Sequence, residues 1–541
     1  MILDALAYLS TILILSLSIY SIRSIIFLYR VTRDSVNSSL QNKLGVGAII
    51  SPTLSKSVPL HEHGIIADRC TDIGTINRTS DDWINKEYPF ISILIATHNE
   101  SLVIERLLKS LAALSYPTDR FEIIIVDDST DDTYEKIQTM LPGLRNLKAI
   151  HRDNRAGWKG GALNVAIDVM DERASNVFVL DADNILLVDS LQRFVSRLIQ
   201  EQYSYREKGV AVLAIQGFPI SKINPAADNK CSSKIKFGNW IARAIDFRLS
   251  QRNMIEFAAK DRLNLPVQIT GSLFMIKADV IKSIKFSNDL CEDWDLTVAL
   301  HCLQLSSILS SLSSTTDAVS FFNNNGRICN QPSNNIDHKP HTILLRPRII
   351  FDQELVSYCE ATMELGAYFR QRMRVSEGHT RGLRKKIGYI AESKILSPID
   401  KVELFLNGLQ YAKFIFVAGI GIINIILLIM FLSGSYNNNQ QLIDLFGISL
   451  SFQVANLAIA LTHIMCAVKI CQPVRRYNIK DVLSLVVINA ITTPAFVIGS
   501  VRGFFKERGT FYKTRRNLLK ESELSESSVL SHPRKNSTPS A

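Results

Sequence analysis

The chain has 541 residues, a formal net charge of +10 and 47% hydrophobic residues, so it is too long for one core and predicts at least two structural units. Its basic residues cluster beside apolar segments, and no basic repeat with interleaved aromatics occurs in the globular part, which argues against nucleic-acid binding. The eight cysteines show no CxxC pair and no metal-type spacing, which indicates neither a zinc site nor a disulfide scaffold.

The N-terminal stretch is almost continuously apolar from residue 2 to residue 29, which is long enough to span a bilayer. It lacks the basic start, the short apolar core and the cleavage site of a signal peptide. We therefore expect a retained transmembrane helix over residues 1–30, followed by a cytoplasmic segment that begins with Arg30 and Arg33. Residues 31–88 are polar and predict a loosely structured linker.

Apolar strand patterns alternate with helical patterns in the next part of the chain. Such alternation predicts a mainly parallel sheet with right-handed crossovers, and we expect this α/β domain to occupy residues 89–400. The predicted strands are 90–97, 121–126, 147–151, 177–180 and 210–216.

Polar residues follow three of these strands directly. They are Thr97 to Glu100, then Asp127 and Asp128, then Asp181 and Asp183. The carboxyl ends of parallel strands meet at one edge, where open α/β sheets bind ligands. Two carboxylates one residue apart repel each other unless a cation lies between them, so the last pair predicts a hard divalent metal that holds a phosphate. Taken alone, the same pair is equally well explained as a helix cap.

Two glycine-containing segments are further candidates. RAGWKGGALN at 155–164 combines three glycines with Lys159, a point charge for a phosphate, although such a segment is by itself more often a simple turn. QITGSLFMI at 268–276 predicts a strand in which Gly271 and Ser272 mark a bulge or a close approach to a ligand.

The remainder of this domain contains one acidic motif and one basic helix. CEDWDLT at 291–297 places acids in an apolar context, and we interpret Asp295 as a helix-start residue. Residues 303–346 are rich in Ser and Asn and predict an exposed insertion loop. Residues 348–358 predict a strand, and the arginine-rich helix over 360–384 is compatible with a solvated face.

The C-terminal region, residues 401–505, contains about three hydrophobic segments, and residues 506–541 form a basic and then Ser-rich tail. If all three segments crossed a membrane, the basic residues from Arg502 to Lys520 would lie outside, against the positive-inside tendency. We therefore expect the last segment, which carries TTP at 492–494, to be re-entrant or interfacial. The three segments are 404–432, 442–468 and 482–505.

The order of the motifs resembles the membrane-integrated family 2 glycosyltransferases, which include cellulose, hyaluronan and mannan synthases. The resemblance implies a GT-A fold and an inverting transfer of a sugar from a nucleotide-diphosphate sugar to a glycan or glycolipid acceptor. A UDP-sugar is the favoured donor and a GDP-sugar the alternative, with Mg²⁺ or Mn²⁺ as cofactor. It also implies a multi-pass protein of the cell membrane, in contact with lipids, whose catalytic domain is cytoplasmic. The motifs are ATHNE at 96–100, VDDS at 126–129, DAD at 181–183, ED at 292–293 and QRMR at 371–374.

The resemblance also implies a role for each matching position. Those that would bind the nucleotide sugar are Thr97, Glu100, Asp127, Asp128, Lys159 and Asp181. Asp183, together with Asp181, would hold the metal, and Asp293, beside Glu292, would be the general base. Those that would lie near the diphosphate and the acceptor are Gln371, Arg374, Gly271 and Ser272.

The sequence departs from the family pattern at Val375, where the QxxRW motif has tryptophan. That change weakens the expectation of processive polymerisation and favours a lipid or short-glycan acceptor. Two alternatives stay open, a polyprenyl-phosphate glycosyltransferase and a catalytically silent membrane scaffold. The presence of Asp181, Asp183, Asp293 and Arg374 argues against the scaffold.

Overall fold

The structure is a computed structural model that describes residues 2–43, 88–206, 209–223, 233–304, 346–433 and 440–507. The first helix, α1, covers Ile2–Lys43 and so extends beyond residue 30 into the segment predicted as a linker. Most of that linker, nearly all of the predicted insertion loop and the tail from residue 508 lie outside the described residues.

One mixed sheet organises the central domain. In the described part of the chain it has eight strands in the order β3-β2-β1-β4-β7-β6-β8-β5. The strands are β1 Ile91–Thr97, β2 Phe121–Asp127, β3 Leu147–His151, β4 Asn176–Asp181, β5 Ile185–Leu186, β6 Val210–Lys222, β7 Phe274–Lys277 and β8 Arg346–Glu360.

The first four strands in this order are parallel, as predicted. Thr97 of β1 pairs with Asp127 of β2, and Ala96 pairs with Asp181 of β4, so the carboxyl ends of these strands meet at one edge. Along β1, Ile93 and Ile95 enter one buried cluster while Leu94 enters the other, because successive side chains point to opposite faces. The sheet therefore has a core on each face.

The predicted strand at 268–276 is wrong in its first half, because β7 begins only at Phe274 and runs antiparallel to β4 and β6. Gly271 has φ of +81° and interrupts the extended backbone. The side-chain amide of Gln216 donates to the carbonyls of Ser272 and Leu273, at 3.0 and 3.2 Å. The carbonyl of Ser272 thus bonds to a side chain, and that of Leu273 also accepts from the backbone N–H of Gly217 in β6 at 2.8 Å.

Helices flank the sheet on both faces. A π-helical segment, Arg252–Phe257, connects the helix Ser233–Gln251 directly to the helix Ala258–Arg262. The helices are α2 Ile104–Ala112, α3 Thr133–Met140, α4 Trp158–Asp168, α5 Ser190–Arg206, α6 Ser233–Gln251, α7 Ala258–Arg262, α8 Ala278–Ile284 and α9 Glu292–His301.

Five helices follow the sheet. The predicted segment 404–432 is divided, since residues 409–412 separate two helices and Leu404 belongs to the first of them. The helices are α10 Leu365–Glu392, α11 Pro398–Gly408, α12 Lys413–Leu432, α13 Gln440–Ile470 and α14 Ile479–Phe505.

Among the described residues, four helices are long and apolar enough to cross a membrane: α1, α12, α13 and α14. α1 packs against α12 and α13, whereas α14 packs along α10. Asp481 near the start of α14 pairs with Arg243, and Arg384 donates to the carbonyl of Lys506 just after its end. Both ends of α14 therefore contact the sheet domain or α10.

Candidate active site

A cavity of about 410 Å³ opens at the shared strand edge and extends to Tyr411, two residues before α12. It brings together eleven of the thirteen residues that the sequence singled out, although they come from seven separate parts of the chain. The eleven are Thr97, Glu100, Asp128, Lys159, Asp181, Asp183, Gly271, Glu292, Asp293, Gln371 and Arg374.

The other two predicted residues lie behind the cavity wall. Asp127 is fully buried and accepts hydrogen bonds from Thr97 Oγ1 at 2.6 Å and from the backbone N–H of Ser129 at 3.1 Å. The hydroxyl of Ser272 accepts a hydrogen bond from the backbone N–H of Asp181 at 2.8 Å. Each of them therefore holds a lining residue in place instead of facing the cavity.

Two arginines that the sequence did not single out lie beside Asp128, at the strand-end side of the cavity. Arg152 donates from Nε and Nη2 to the two carboxylate oxygens of Asp128, each at 2.6 Å. Arg155 lines the cavity itself, and burial lowers its pKa while Asp128 opposes that shift. Arg152 directly follows β3, and Arg155 begins the glycine-containing segment at 155–164, so their positions after a strand were the available signal.

Lys159 connects the acidic pair of β4 with the acidic motif of α9. Its Nζ lies 2.5 Å from Asp181 Oδ1 and 3.8 Å from Glu292 Oε1, and it donates to the carbonyl oxygen of Gly271 at 2.7 Å. Burial alone would lower the pKa of Lys159, but Asp181 and Glu292 raise it above its ordinary value. The ammonium group is therefore charged at the centre of the cavity.

The metal prediction concerns Asp181 and Asp183, which both line the cavity. The described residues contain no group of three or more His, Cys, Asp or Glu side chains placed to hold a metal ion. Mg²⁺ is commonly bound by one or two protein carboxylates plus substrate phosphates and water. With Asp181 also paired to Lys159, the site fits a cation that takes most of its ligands from a diphosphate.

α9 presents the candidate base from its first turn. The helix begins at Glu292, so Asp293 lies at the cavity wall while Trp294 beside it is fully buried. Burial raises the pKa of Asp293, whereas Lys159 and Arg252 oppose that rise. Burial also raises the pKa of Glu292 to about 7. A carboxylate whose pKa is raised toward neutrality is a better proton acceptor for a hydroxyl.

α10 contributes Gln371, Arg374 and Val375 to the cavity beside the start of α9, where Cys291 Sγ lies 3.8 Å from the carbonyl oxygen of Val375. Burial lowers the pKa of Arg374, and Glu292 is among the groups that oppose this shift. The guanidinium group of Arg374 therefore interacts electrostatically with the acids of α9. Val375 leaves no aromatic side chain at the motif position.

Aromatic rings reach the cavity from other positions. His379 and Tyr411 both line it, with ring centroids 5.1 Å apart, and Trp294 stacks on His379 at 5.3 Å. No sequence motif indicated these rings, because they come from three separate helices or loops.

Comparison with known proteins decides the family of this site. Residues 92–205 match the family described as "Glycosyl transferase family 2". The chain carries a glycosyl transferase family 2 domain. The matched region contains β1 to β4, and the parallel strand arrangement of this domain is of the GT-A type, as expected.

Relatives of this domain include lipid and polysaccharide glycosyltransferases. A beta-monoglucosyldiacylglycerol synthase from Synechocystis is 37% identical over 221 residues, which are 40% of this chain and 41% of that protein. Glucomannan 4-beta-mannosyltransferase 9 from Arabidopsis thaliana is 34% identical over 122 residues, covering 21% and 23% of the two chains. The chain thus spans less than half the length of these relatives.

A solved mannosyltransferase from Pyrobaculum calidifontis in complex with GDP-Man and Mn²⁺ is also similar. It shares 15% sequence identity with a TM-score of 0.44, and the match covers 79% of this chain and 93% of that one.

Proposed function

We propose that the protein is an inverting glycosyltransferase that moves a sugar from a nucleotide-diphosphate sugar to a hydroxyl of a glycan or glycolipid acceptor at a membrane. The observation that carries this proposal is the position of Asp293. It is a partly buried carboxylate with a raised pKa, in the same cavity as Lys159 and Arg374 and as the strand-end acids. A base on one side and cations on the other are what a single displacement at an anomeric carbon requires.

The reaction can be written with the residues of this cavity. Asp293 accepts the proton of the acceptor hydroxyl, whose oxygen forms the new bond to the anomeric carbon. The bond from that carbon to the diphosphate breaks, and the electron pair leaves with the nucleoside diphosphate. Lys159 and Arg374 stabilise the departing charge. Asp183, with Asp181, would hold Mg²⁺ or Mn²⁺, which neutralises phosphate charge when bound.

The Asp293→Asn variant tests this assignment. The amide keeps the shape of the side chain but cannot accept the proton, so transfer should fall by about 10²- to 10⁴-fold. Nucleotide binding, measured by equilibrium titration with the nucleoside diphosphate, should stay within about twofold of the unaltered protein. Asp295→Asn is the matched control on the same helix, because Asp295 lies outside the cavity lining and should leave transfer intact. Near-normal transfer by Asp293→Asn would show that another group is the base.

The donor and the acceptor follow from separate arguments. The relatives named above are a glucosyldiacylglycerol synthase and a mannosyltransferase, and Val375 removes the aromatic platform of polymerising enzymes. We therefore infer a lipid or short-glycan acceptor. A base in the cavity also favours a hydroxyl acceptor over a polyprenyl phosphate, which needs no base.

The donor is identified by measuring nucleoside diphosphate release from UDP- and GDP-sugars with Mg²⁺ or Mn²⁺. If none of these sugars released a nucleoside diphosphate, the silent scaffold would be favoured.

We also infer that α1, α12 and α13 cross the membrane of the cell while α14 lies at its surface, with the catalytic domain on the cytoplasmic side. The first half of α14 contacts α6, where Arg248 donates to Asn489, and its second half contacts α10, where Ser376 donates to the carbonyl of Phe496. Arg384 of α10 also donates to the carbonyl of Lys506 just after α14 ends. A helix that crossed the bilayer would contact the catalytic domain only near one of its two ends. Three spans return the basic C-terminal residues to the cytoplasm, in agreement with the positive-inside tendency.

Single cysteines placed from Lys506 to Lys520 test this topology in intact cells. On a cytoplasmic tail they should react only after the membrane is permeabilised. Labelling of intact cells by an impermeant maleimide would mean that α14 crosses the membrane.

A further inference from the structure

Three arginines, which we call the inner arginines, line the part of the cavity formed by α6, the π-helical segment and α10. They are Arg248, Arg252 and Arg372. The proposed reaction leaves them unused, because Arg374 and Lys159 already act on the donor's diphosphate.

Aromatic rings, and not carboxylates, support these side chains. The guanidinium carbons lie over ring centroids, Arg248 over Phe496 at 5.1 Å, Arg252 over Phe257 at 5.2 Å and Arg372 over Tyr368 at 5.0 Å. Glu256, the acid one turn from Arg252, is already paired with Arg23 at 2.6 Å and with Lys260 at 3.0 Å. Within the described ranges, the Nε atoms of Arg252 and Arg372 are buried and have no hydrogen-bond partner.

Clustered cations whose acidic neighbour Glu256 is already paired give this region a positive field. Burial lowers the pKa of His379 to about 3, and Arg252 and Arg372 contribute to that shift. Burial alone would raise the pKa of Tyr368, but Arg248 and Arg372 lower it below its ordinary value. Leaving several guanidinium groups desolvated and uncompensated is costly, so a bound anion is the natural partner.

The position of Arg252 connects this anion with the acceptor. Arg252 lines the same cavity as Asp293 and lowers the pKa of that carboxyl group, so it faces the base as well as the other inner arginines. The acceptor hydroxyl must reach Asp293 to lose its proton. An anionic group at the inner arginines, beside that hydroxyl, therefore belongs to the acceptor molecule.

We propose that the inner arginines bind the phosphate of the acceptor, which is a hydroxyl-bearing phosphate ester. This inference rests on the proposed function, since it specifies the acceptor of the same reaction. Guanidinium groups bind phosphate oxygens in a bidentate manner, and three of them in one cavity can neutralise a phosphodiester from several sides. The phosphate is unchanged in the reaction, because the bond to the sugar forms at the acceptor's hydroxyl oxygen.

Two sources share this chemistry, a phospholipid headgroup and a soluble phosphate ester. Both are tested with the full-length protein and with UDP-glucose or GDP-mannose as donor. The lipid acceptors are phosphatidylglycerol, which has a phosphate and hydroxyls, and diacylglycerol, which has only a hydroxyl, each in phosphatidylcholine vesicles. The soluble acceptor is sn-glycerol 3-phosphate. We expect transfer to a phosphate-bearing acceptor at least about tenfold faster than transfer to diacylglycerol, as loss of charged hydrogen bonds predicts.

Variants identify the residues responsible. Arg372→Gln should reduce transfer to the phosphate-bearing acceptor by about tenfold or more, with donor hydrolysis in the absence of acceptor within about twofold of the unaltered protein. Arg372→Lys should recover part of the loss because it retains the charge. Arg370→Gln is the control, since Arg370 lies two residues earlier on α10, is exposed and does not line the cavity.

The outcomes separate this inference from the proposed function. Equal or faster transfer to diacylglycerol would overturn the phosphate site while confirming a glycosyltransferase. A rise in the donor KM of Arg372→Gln, without a change in acceptor preference, would assign the arginine to the donor and overturn the site as well. Absence of nucleoside diphosphate release from either donor, with every acceptor and with water, would contradict the proposed function itself.

Discussion

Glu292 and Asp293 are adjacent carboxylates with different charged neighbours. Glu292 lies 3.8 Å from the ammonium group of Lys159, and burial raises its pKa to about 7. Asp293 contributes to that rise, since its negative charge opposes the ionisation of Glu292 in the same site. Because the two groups interact, the pair titrates as a unit, and a pH profile reports on both.

Replacing Glu292 with Gln should remove the ionisation near pH 7 from the pH–rate profile and leave the acid limb of Asp293 in place. The rate falls on the acid side as Asp293 takes up a proton, and its raised pKa places that fall above the ordinary value for Asp. Glu292, whose pKa is about 7, is already neutral in that range, so its replacement removes no charge there. The measurement is kcat/KM against pH for both proteins with one donor and acceptor. A shift of the acid limb to lower pH would mean that Glu292 is ionised when Asp293 takes up its proton.

The same residues show what a sequence can reveal about a site. Asp181, Asp183 and Asp293 were identifiable because acids that end an apolar strand or begin a buried helix are conspicuous. Arg152, Arg155 and the inner arginines were not, because arginines on helices and loops are usually solvated. Only the packing of α6 and α10 around one cavity distinguishes Arg248 and Arg372 from the exposed Arg370.

At the scale of elements, the contact between α10 and α14 fixes the motif helix. The two helices approach closely where α14 carries Gly499 and Gly503. A Cβ atom on Gly499 would overlap the carbonyl oxygen of Met373, and one on Gly503 would lie 2.6 Å from the carbonyl oxygen of Glu377. Small residues thus let α14 pack directly on the backbone of the helix that carries Gln371 and Arg374.

Gly499→Val should therefore weaken both stability and transfer. The added side chain pushes α14 away from α10, and overpacking of this kind costs about 1–3 kcal/mol. Displacement of α10 also moves Arg374 relative to Asp293, so transfer should fall more than nucleotide binding. The control is Gly421→Val on α12, where a Cβ atom would have no neighbour within 4 Å. Thermal unfolding in detergent and transfer assays on both variants give the comparison, and equal behaviour would argue against a positioning role for α14.

The elements themselves were predictable to different degrees. The four parallel strands were located because apolar runs bounded by acids are unambiguous, and their common edge follows from parallel pairing. The start of β7 was misplaced, because the side chain of Gln216, distant in sequence, binds the carbonyls of Ser272 and Leu273. The length of α14 was visible in the sequence, but its lateral contact with α10 depends on tertiary packing.

At the scale of the whole molecule, a buried charge cluster joins the N-terminal helix to the sheet domain. Arg23 of α1 lies 2.6 Å from both Glu256 of the π-helical segment and Glu403 of α11, and Lys260 of α7 lies 3.1 Å from Glu403. Two cations thus balance two carboxylates from three separate parts of the chain. Burial alone would raise the pKa of Glu403, but Lys260 and Arg23 lower it, so Glu403 remains ionised at neutral pH.

This cluster makes the stability of the catalytic domain depend on α1. Arg23→Gln leaves Glu403, only 5% exposed, with one cation fewer, and breaking a buried ion pair costs about 3–5 kcal/mol. Adding Glu403→Gln should cost less than the two single changes combined, because the second change removes the unpaired charge. Arg33→Gln is the control, since Arg33 lies on the same helix and is exposed. Denaturation of the unaltered protein, the two single variants, the double variant and the Arg33→Gln control in one detergent measures these differences. A change below about 0.5 kcal/mol in Arg23→Gln, typical of a surface substitution, would mean that α1 and the catalytic domain are not coupled through this cluster.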